Sequence, residues 1–255
     1  MLNWASEVLP QNLHITEQMY IIDYNNSQVL TLYNSKRRMQ NILERRSAFN
    51  EYFLTPEIYG INIEKRFVIE EYIQRKQISH NNQFTLVFQD ILVAQKKSVN
   101  NNNVRKYSDE FIECFRTAIS RLNLSYLDRI MDFIKCGYYR ENLSHGDMYR
   151  LNTMFDGQKI YYIDYESVST NRIFFYDVLY YIMMDIHHFS DDHLYKDYLD
   201  GMFDDYIIEL FGINGAIFDP SLKKCIFSLW RLKLTRIEYQ NTWKCIFNGS
   251  LRALF

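Results

Sequence analysis

Cysteine is scarce in this chain. The four that occur, Cys114, Cys136, Cys225 and Cys245, stand far apart, with no CxxC and no paired Cys/His spacing. That argues against a zinc site and suits reduced thiols in a cytosol, so a cytoplasmic protein is expected. Proline and glycine are also few, three and eight in 255 residues. No run of roughly 18 apolar residues occurs, and no charged-then-apolar opening of a secretory leader, which predicts no membrane insertion. Neither sign of charge dominates: 29 basic against 31 acidic residues create no global field for nucleic acid or an anionic membrane. What is plentiful is aromatic, with 21 tyrosines and 18 phenylalanines in a chain that is 47% hydrophobic. This length suffices for one large domain or two lobes with an ample core.

The most informative stretch is 141–166, ENLSHGDMYRLNTMFDGQKIYYIDYE. A polar turn, SHGD, leads to an asparagine five residues after the aspartate. A short apolar piece (Thr153, Met154, Phe155), a turn at Asp156-Gly157 and a second strand-like run (Lys159 to Ile163) follow. Two strands joined by an Asp-Gly turn form a hairpin, which returns Asp164 to the neighbourhood of Asn152 and Asp147. An Asp or Asn beside a turn commonly bonds its own backbone. Three such residues on one strand–turn–strand frame suit a different task. Phosphoryl transfer from ATP needs a carboxylate to orient or deprotonate the acceptor hydroxyl, and hard oxygen ligands for magnesium. Asp147 fits the first role, and Asn152 with Asp164 the second.

HGDMYRLN followed by IDYE resembles the HGDxxxxN…IDxE signature of the aminoglycoside phosphotransferase and choline kinase-like superfamily. The likeness is specific over about 141–182 and includes Asp177 in FFYDVLYYI. It implies an α+β, two-lobed protein-kinase-like fold, with a small antiparallel-sheet N-lobe at 1–73 and a mainly helical C-lobe at 74–255. It implies ATP and Mg2+ as cofactors and a small-molecule hydroxyl acceptor. His145 would brace the catalytic loop, and Asp177 would cap the next helix while supporting that loop.

Ahead of this stretch the pattern predicts strands at Asn12–Ile15, Met19–Tyr24, Val29–Tyr33, Ile58–Ile61 and Phe67–Ile73. One helix, Lys36–Glu51, lies among them with Met39, Ile42, Leu43, Ala48 and Phe49 inward. On the family reading Glu71, Tyr72 and Ile73 form the hinge that meets adenine; read locally, they are equally a plain half-buried hairpin. The N-lobe also departs from the family pattern. Thr16-Glu17-Gln18 carries no glycine to bring backbone amides to phosphate, and VLTLY places Thr31 where the family has a lysine or arginine. Lys36 is the nearest substitute base and Glu44 the acid that would pair with it, unless both simply lie on a solvated helix face.

Further along, Phe84 to Leu92 reads as a helix, as do two amphipathic stretches containing Phe111 to Leu122 and Leu127 to Ile134. Ser167–Tyr176 reads as a loop, Val178–Ile186 as a buried helix, His193 to Phe211 as one helix, and Pro220 to Tyr239 as another. His187, His188, Asp191, Asp192 and His193 lack a convergent ligand spacing and are read as helix and cap residues. Glu238, Tyr239 and Trp243 are candidates to line the acceptor site. The sequence thus predicts an ATP- and magnesium-dependent phosphotransferase. The rival is a kinase-fold pseudoenzyme serving as a binding or regulatory module, which the missing lysine and glycines favour.

Overall fold

The computed structural model describes residues 18–98, 104–106, 138–215, 217–224 and 227. The strand expected at Asn12–Ile15, the two helices spanning Phe111 to Ile134, and Glu238, Tyr239 and Trp243 lie outside these residues.

The N-terminal region is an antiparallel sheet with one helix. Strands β1 (Met19–Asp23), β2 (Gln28–Leu32), β3 (Ile58–Asn62) and β4 (Phe67–Glu71) are ordered β1-β2-β4-β3. Residues alternate across the sheet, as the two-residue period of a strand requires. Leu30, Leu32, Phe67 and Ile69 form a small cluster with Ile21 on one face, while Val68 turns to the main core.

Helix α1 (Lys36–Asn50) follows β2, with the Ser35 side chain accepting from the Arg38 amide as its cap. Its inward face is Met39, Ile42, Arg46 and Phe49, one residue per helical turn. Ala48, expected inward, is exposed. Arg46 takes an inner position because buried partners await it. It bonds Glu70 at 2.5 Å, donates to the Pro56 carbonyl, and lies over the Tyr165 ring at 5.2 Å.

The C-terminal region follows residues 72–79, which form neither helix nor strand, with helix α2 (His80–Ser98), longer than the expected run and burying Phe84, Val87, Phe88, Ile91 and Leu92. Strand β5 (Val104–Lys106) pairs with β6 (Tyr138–Ser144), which pairs with β9 (Ser169–Ile173). A strand therefore runs where a loop was expected after Glu166. Between β6 and β9 the chain forms the hairpin of β7 (Thr153–Phe155) and β8 (Ile160–Tyr162). Helix α3 (Tyr176–Phe189) is buried over most of its surface.

The single helix expected from His193 to Phe211 is two, α4 (His193–Asp200) and α5 (Asp204–Ile213). The break falls at Gly201, whose φ of 93° is left-handed. Its amide and that of Met202 close back on Asp197 and Tyr198, a glycine-terminated helix end. The turn frees Phe203 to pack edge-on against Phe84 at 4.8 Å, and leaves Met202 exposed rather than on the inner face. A 3-10 turn at Pro220–Leu222, capped by Asp219, follows.

The result is an α+β chain with a sheet-and-helix region ahead of a mainly helical one. Aromatic rings join the two: Phe49 meets His145 edge-on at 5.1 Å and Tyr162 at 5.8 Å, and Phe53, stacked on Phe49 at 4.3 Å, meets Tyr162 at 5.1 Å. Such pairs contribute about 0.5–1.5 kcal/mol each beyond the area they bury. Among the described residues, no helix is long and apolar enough to cross a membrane.

Candidate active site

The loop from Ser144 to Asn152 is held from below by one buried carboxylate. Asp177 accepts from the Ser144 hydroxyl (2.8 Å), the His145 amide (2.8 Å) and the Gly146 amide (2.9 Å). Two successive amides can reach one side chain because Gly146 sits at φ 81°, a conformation a β-carbon disfavours. Asp177 was expected to cap its helix and to support the loop. The cap is Phe175, two residues earlier, with no side-chain bond, and the Asp177 carboxylate serves the loop.

His145 is fully buried. Its Nε2–H donates to the carbonyl of Ile163 at 2.9 Å, joining the loop to the chain just before Asp164. The hairpin completes that link: the Ile163 amide bonds the Asn152 carbonyl at 3.0 Å, and the Tyr162 amide bonds the Leu54 carbonyl at 2.9 Å. Asp147, Asn152 and Asp164 are therefore brought together at one end of the hairpin.

Their hydrogen bonds define what each can do. The Asn152 amide nitrogen donates to the Asp147 backbone carbonyl and to Asp147 Oδ2, both at 2.9 Å. With its nitrogen committed, Asn152 presents its oxygen as the group left for another partner. Asp147 Oδ1 accepts from the Tyr180 hydroxyl at 2.5 Å. Asp164 stands at φ 64°, a left-handed geometry that is uncommon for residues with a side chain and concentrates at functional sites. It is solvent-exposed. Even so, the surrounding protein raises its carboxyl above the ordinary value of 3.8. Although the side chain reaches solvent, the protein packed around it strips water from the carboxyl, and this is the largest cause, followed by repulsion from Asp147 and Glu166; the Glu166 amide and, after it, Arg38 act in the opposite direction. One amide oxygen beside an exposed carboxylate with raised affinity for a proton is a donor set suited to a hard divalent cation.

The other expected site residues are less concentrated. At the expected hinge, the Tyr72 amide is taken by the Ser27 carbonyl (2.9 Å) and the Glu71 amide by the Glu57 carbonyl (2.8 Å). Among the described residues Ile73 has no backbone partner. Lys36 does not stand in for a strand lysine. It begins α1, is exposed, and bonds Glu64 at 2.5 Å. Glu44 is exposed eight residues further on, about 12 Å along the helix axis from Lys36, so the two do not form the expected pair. Thr31 is buried in β2.

Two residues that sequence reasoning missed touch this site. Tyr180 stands three residues after Asp177, on the same helix face one turn later, and that spacing was the available signal. Arg38 crosses from α1 to Glu166, with Nη2 at 2.6 and 2.7 Å from the two carboxylate oxygens. Its signal was a basic first helical turn, where acids are expected.

A second carboxylate group lies nearby. Ligand atoms of His80, Asp185 and Asp191 come within 4.8 Å of one another. The cation among them is Arg150, which bonds Asp185 at 2.6 Å and Asp191 at 3.4 Å and lies 4.2 Å from the Phe189 ring centre. This buried network anchors the middle of the 147–152 loop to α3.

No family model matches the chain, and no curated protein matches it. Among solved structures it is similar to the aminoglycoside phosphotransferase APH(3'')-Id from Streptomyces rimosus, with 12% identity, 92% of this chain and 96% of that one covered, and a TM-score of 0.47. It is similar to the choline kinase LicA from Streptococcus pneumoniae, with 13% identity, 99% and 96% covered, and a TM-score of 0.47. A Plasmodium vivax ethanolamine kinase is 12% identical, with 100% and 86% covered and a TM-score of 0.45. These neighbours are small-molecule kinases.

Proposed function

We propose that this chain is an ATP- and magnesium-dependent phosphotransferase that moves a γ-phosphate to a hydroxyl of a small molecule. The observation that carries the reading is the orientation of Asn152: its nitrogen is spent on Asp147, which leaves its oxygen for a cation, while the Ile163 amide bonded to the Asn152 carbonyl returns the chain before Asp164 to the same end of the hairpin. Asn152 and Asp164 would hold magnesium, which when bound neutralises and aligns the phosphates. Asp147, fixed on both carboxylate oxygens, would orient the acceptor hydroxyl and take its proton as the new P–O bond forms and the bond from the γ-phosphorus to the β–γ bridging oxygen breaks, releasing ADP. Orientation supplies most of that advantage. The adenine would lie against Glu71, Tyr72 and Ile73, where the Ile73 backbone has no backbone partner among the described residues. The acceptor class left open by this site spans aminoglycosides, amino alcohols such as choline, and sugars, including those of cell-surface glycans.

Buried Thr31 and the glycine-free first loop favour a second reading, in which the fold binds a partner without transferring phosphate. Thermal-shift titration with ATP and magnesium, singly and together, separates the two. Near a hundred times its dissociation constant, a ligand stabilises by about 2.7 kcal/mol, roughly 5–10 °C for a protein of this size. The expected shift is much larger with both components than with ATP alone, and that gain from magnesium disappears in Asp164→Ala. Asp147→Asn should keep the shift and lose turnover by orders of magnitude. A wild type that fails to respond to saturating Mg-ATP would hand the case to the binding module.

A further inference from the structure

Helix α1 opens with Lys36-Arg37-Arg38. Cations at a helix N-terminus oppose the macrodipole, typically by about 0.3–1 kcal/mol each, so local energetics do not explain them. Tertiary partners do. Lys36 bonds Glu64, and Arg46 further along bonds Glu70; both acids belong to the N-terminal sheet region. Arg38 differs, because its partner Glu166 lies two residues after Asp164 on the other side of the site. Arg45 lies seven residues on, two turns along the same face, and donates to the Glu166 backbone carbonyl. One arginine thus holds the Glu166 side chain and a second its main chain. The turn they hold carries the left-handed Asp164, and the Glu166 amide points at Asp164 Oδ1 from 3.5 Å. Arg37, Arg38, Arg45 and Glu166 line a cavity of about 250 Å³ beside this turn.

We propose that Arg38 is a positioning residue: its bond to Glu166 ties helix α1 to the Asp164–Glu166 turn and sets where the Asp164 carboxylate stands. The coupling is mutual. A shift of α1 moves Asp164, and a cation held by Asp164 steadies α1 through Glu166. This inference rests on the reading that Asp164 takes a magnesium-nucleotide.

The test measures ATP affinity with and without magnesium, by calorimetry, for wild type, Arg38→Ala, Arg38→Lys, Arg38→Glu, Glu166→Arg and the double exchange Arg38→Glu with Glu166→Arg. Arg38→Ala should weaken Mg-ATP binding about tenfold or more and leave magnesium-free ATP binding unchanged. Arg38→Lys should fall between, since an ammonium lacks the planar guanidinium. The double exchange should recover most of what either reversal loses. Unaltered Mg-ATP affinity in Arg38→Ala overturns the clamp while the phosphotransferase reading stands. Equal loss with and without magnesium, or a double exchange no better than its singles, also overturns it. If Arg38→Ala does not fold, the lysine variant and the exchange decide by the same criteria. A wild type that does not bind Mg-ATP removes the underlying reading, and the clamp's function with it.

Discussion

Both carboxylate oxygens of Asp147 are engaged before any substrate arrives, one by Asn152 and one by Tyr180. The Tyr180 hydroxyl therefore does two things. It holds the carboxylate in one rotamer, and it occupies a lone pair that an acceptor hydroxyl would use. Removing it frees the second oxygen but lets the carboxylate rotate, and a small misplacement of a catalytic group can cost up to about a hundredfold in rate. Tyr180→Phe should lower kcat about tenfold or more while the melting temperature changes little, because the ring remains to stack on Tyr176 at 5.7 Å. An unchanged kcat would show that Asn152 alone positions Asp147.

Two helices act as the frame of the loop. Helix α3 supplies Asp177 beneath Ser144, His145 and Gly146, and Asp185 against Arg150. Helix α1 supplies Phe49 against the His145 ring and Arg38 against Glu166. Asp177→Ala would leave three buried donors without their acceptor. At about 1–3 kcal/mol for an unsatisfied buried group, a loss of about 3 kcal/mol is expected, or roughly 6–12 °C in melting temperature. Chemical denaturation of the variant checks this. A loss below about 1 kcal/mol would mean the loop finds other acceptors.

At the scale of the whole molecule, the site gathers Asp147, Asp164 and Glu166 close enough for the first and last to act on the Asp164 carboxyl. The folded protein holds the Asp164 proton more tightly than the unfolded chain does, because burial and the neighbouring acids raise its carboxyl above 3.8. Folding stability from this group accordingly falls as pH rises from 3.8 through the raised value, and stays lower above it. The proposed magnesium-nucleotide binding would require the ionised form, so its stabilising effect should be full near neutral pH and shrink as pH falls through the raised value. Melting curves with and without Mg-ATP across that range test the sign. Equal stabilisation near pH 3.8 and near neutrality would assign the metal to other ligands.

Much of this protein was legible from order along the chain. The strands of the N-terminal sheet, helix α1 and the β7–β8 hairpin follow from two- and 3.6-residue periodicities and from turn residues such as Asp156-Gly157. The proximity of Asp147, Asn152 and Asp164 follows from the hairpin alone, because a tight antiparallel return leaves its ends little freedom. Other features depended on partners distant in sequence. Arg46 is inside because Glu70 and the Pro56 carbonyl meet it there. Asp177 serves the loop and not its own helix end because three donors converge on it. Lys36 turns to Glu64 while Arg38 crosses to Glu166, though both stand in one basic run. Local pattern determines which residues can share a face, since backbone geometry sets that. Which charge meets which was decided only when the chain folded, because a buried or bridging ion is stabilised by whatever the tertiary structure places within a few ångströms of it.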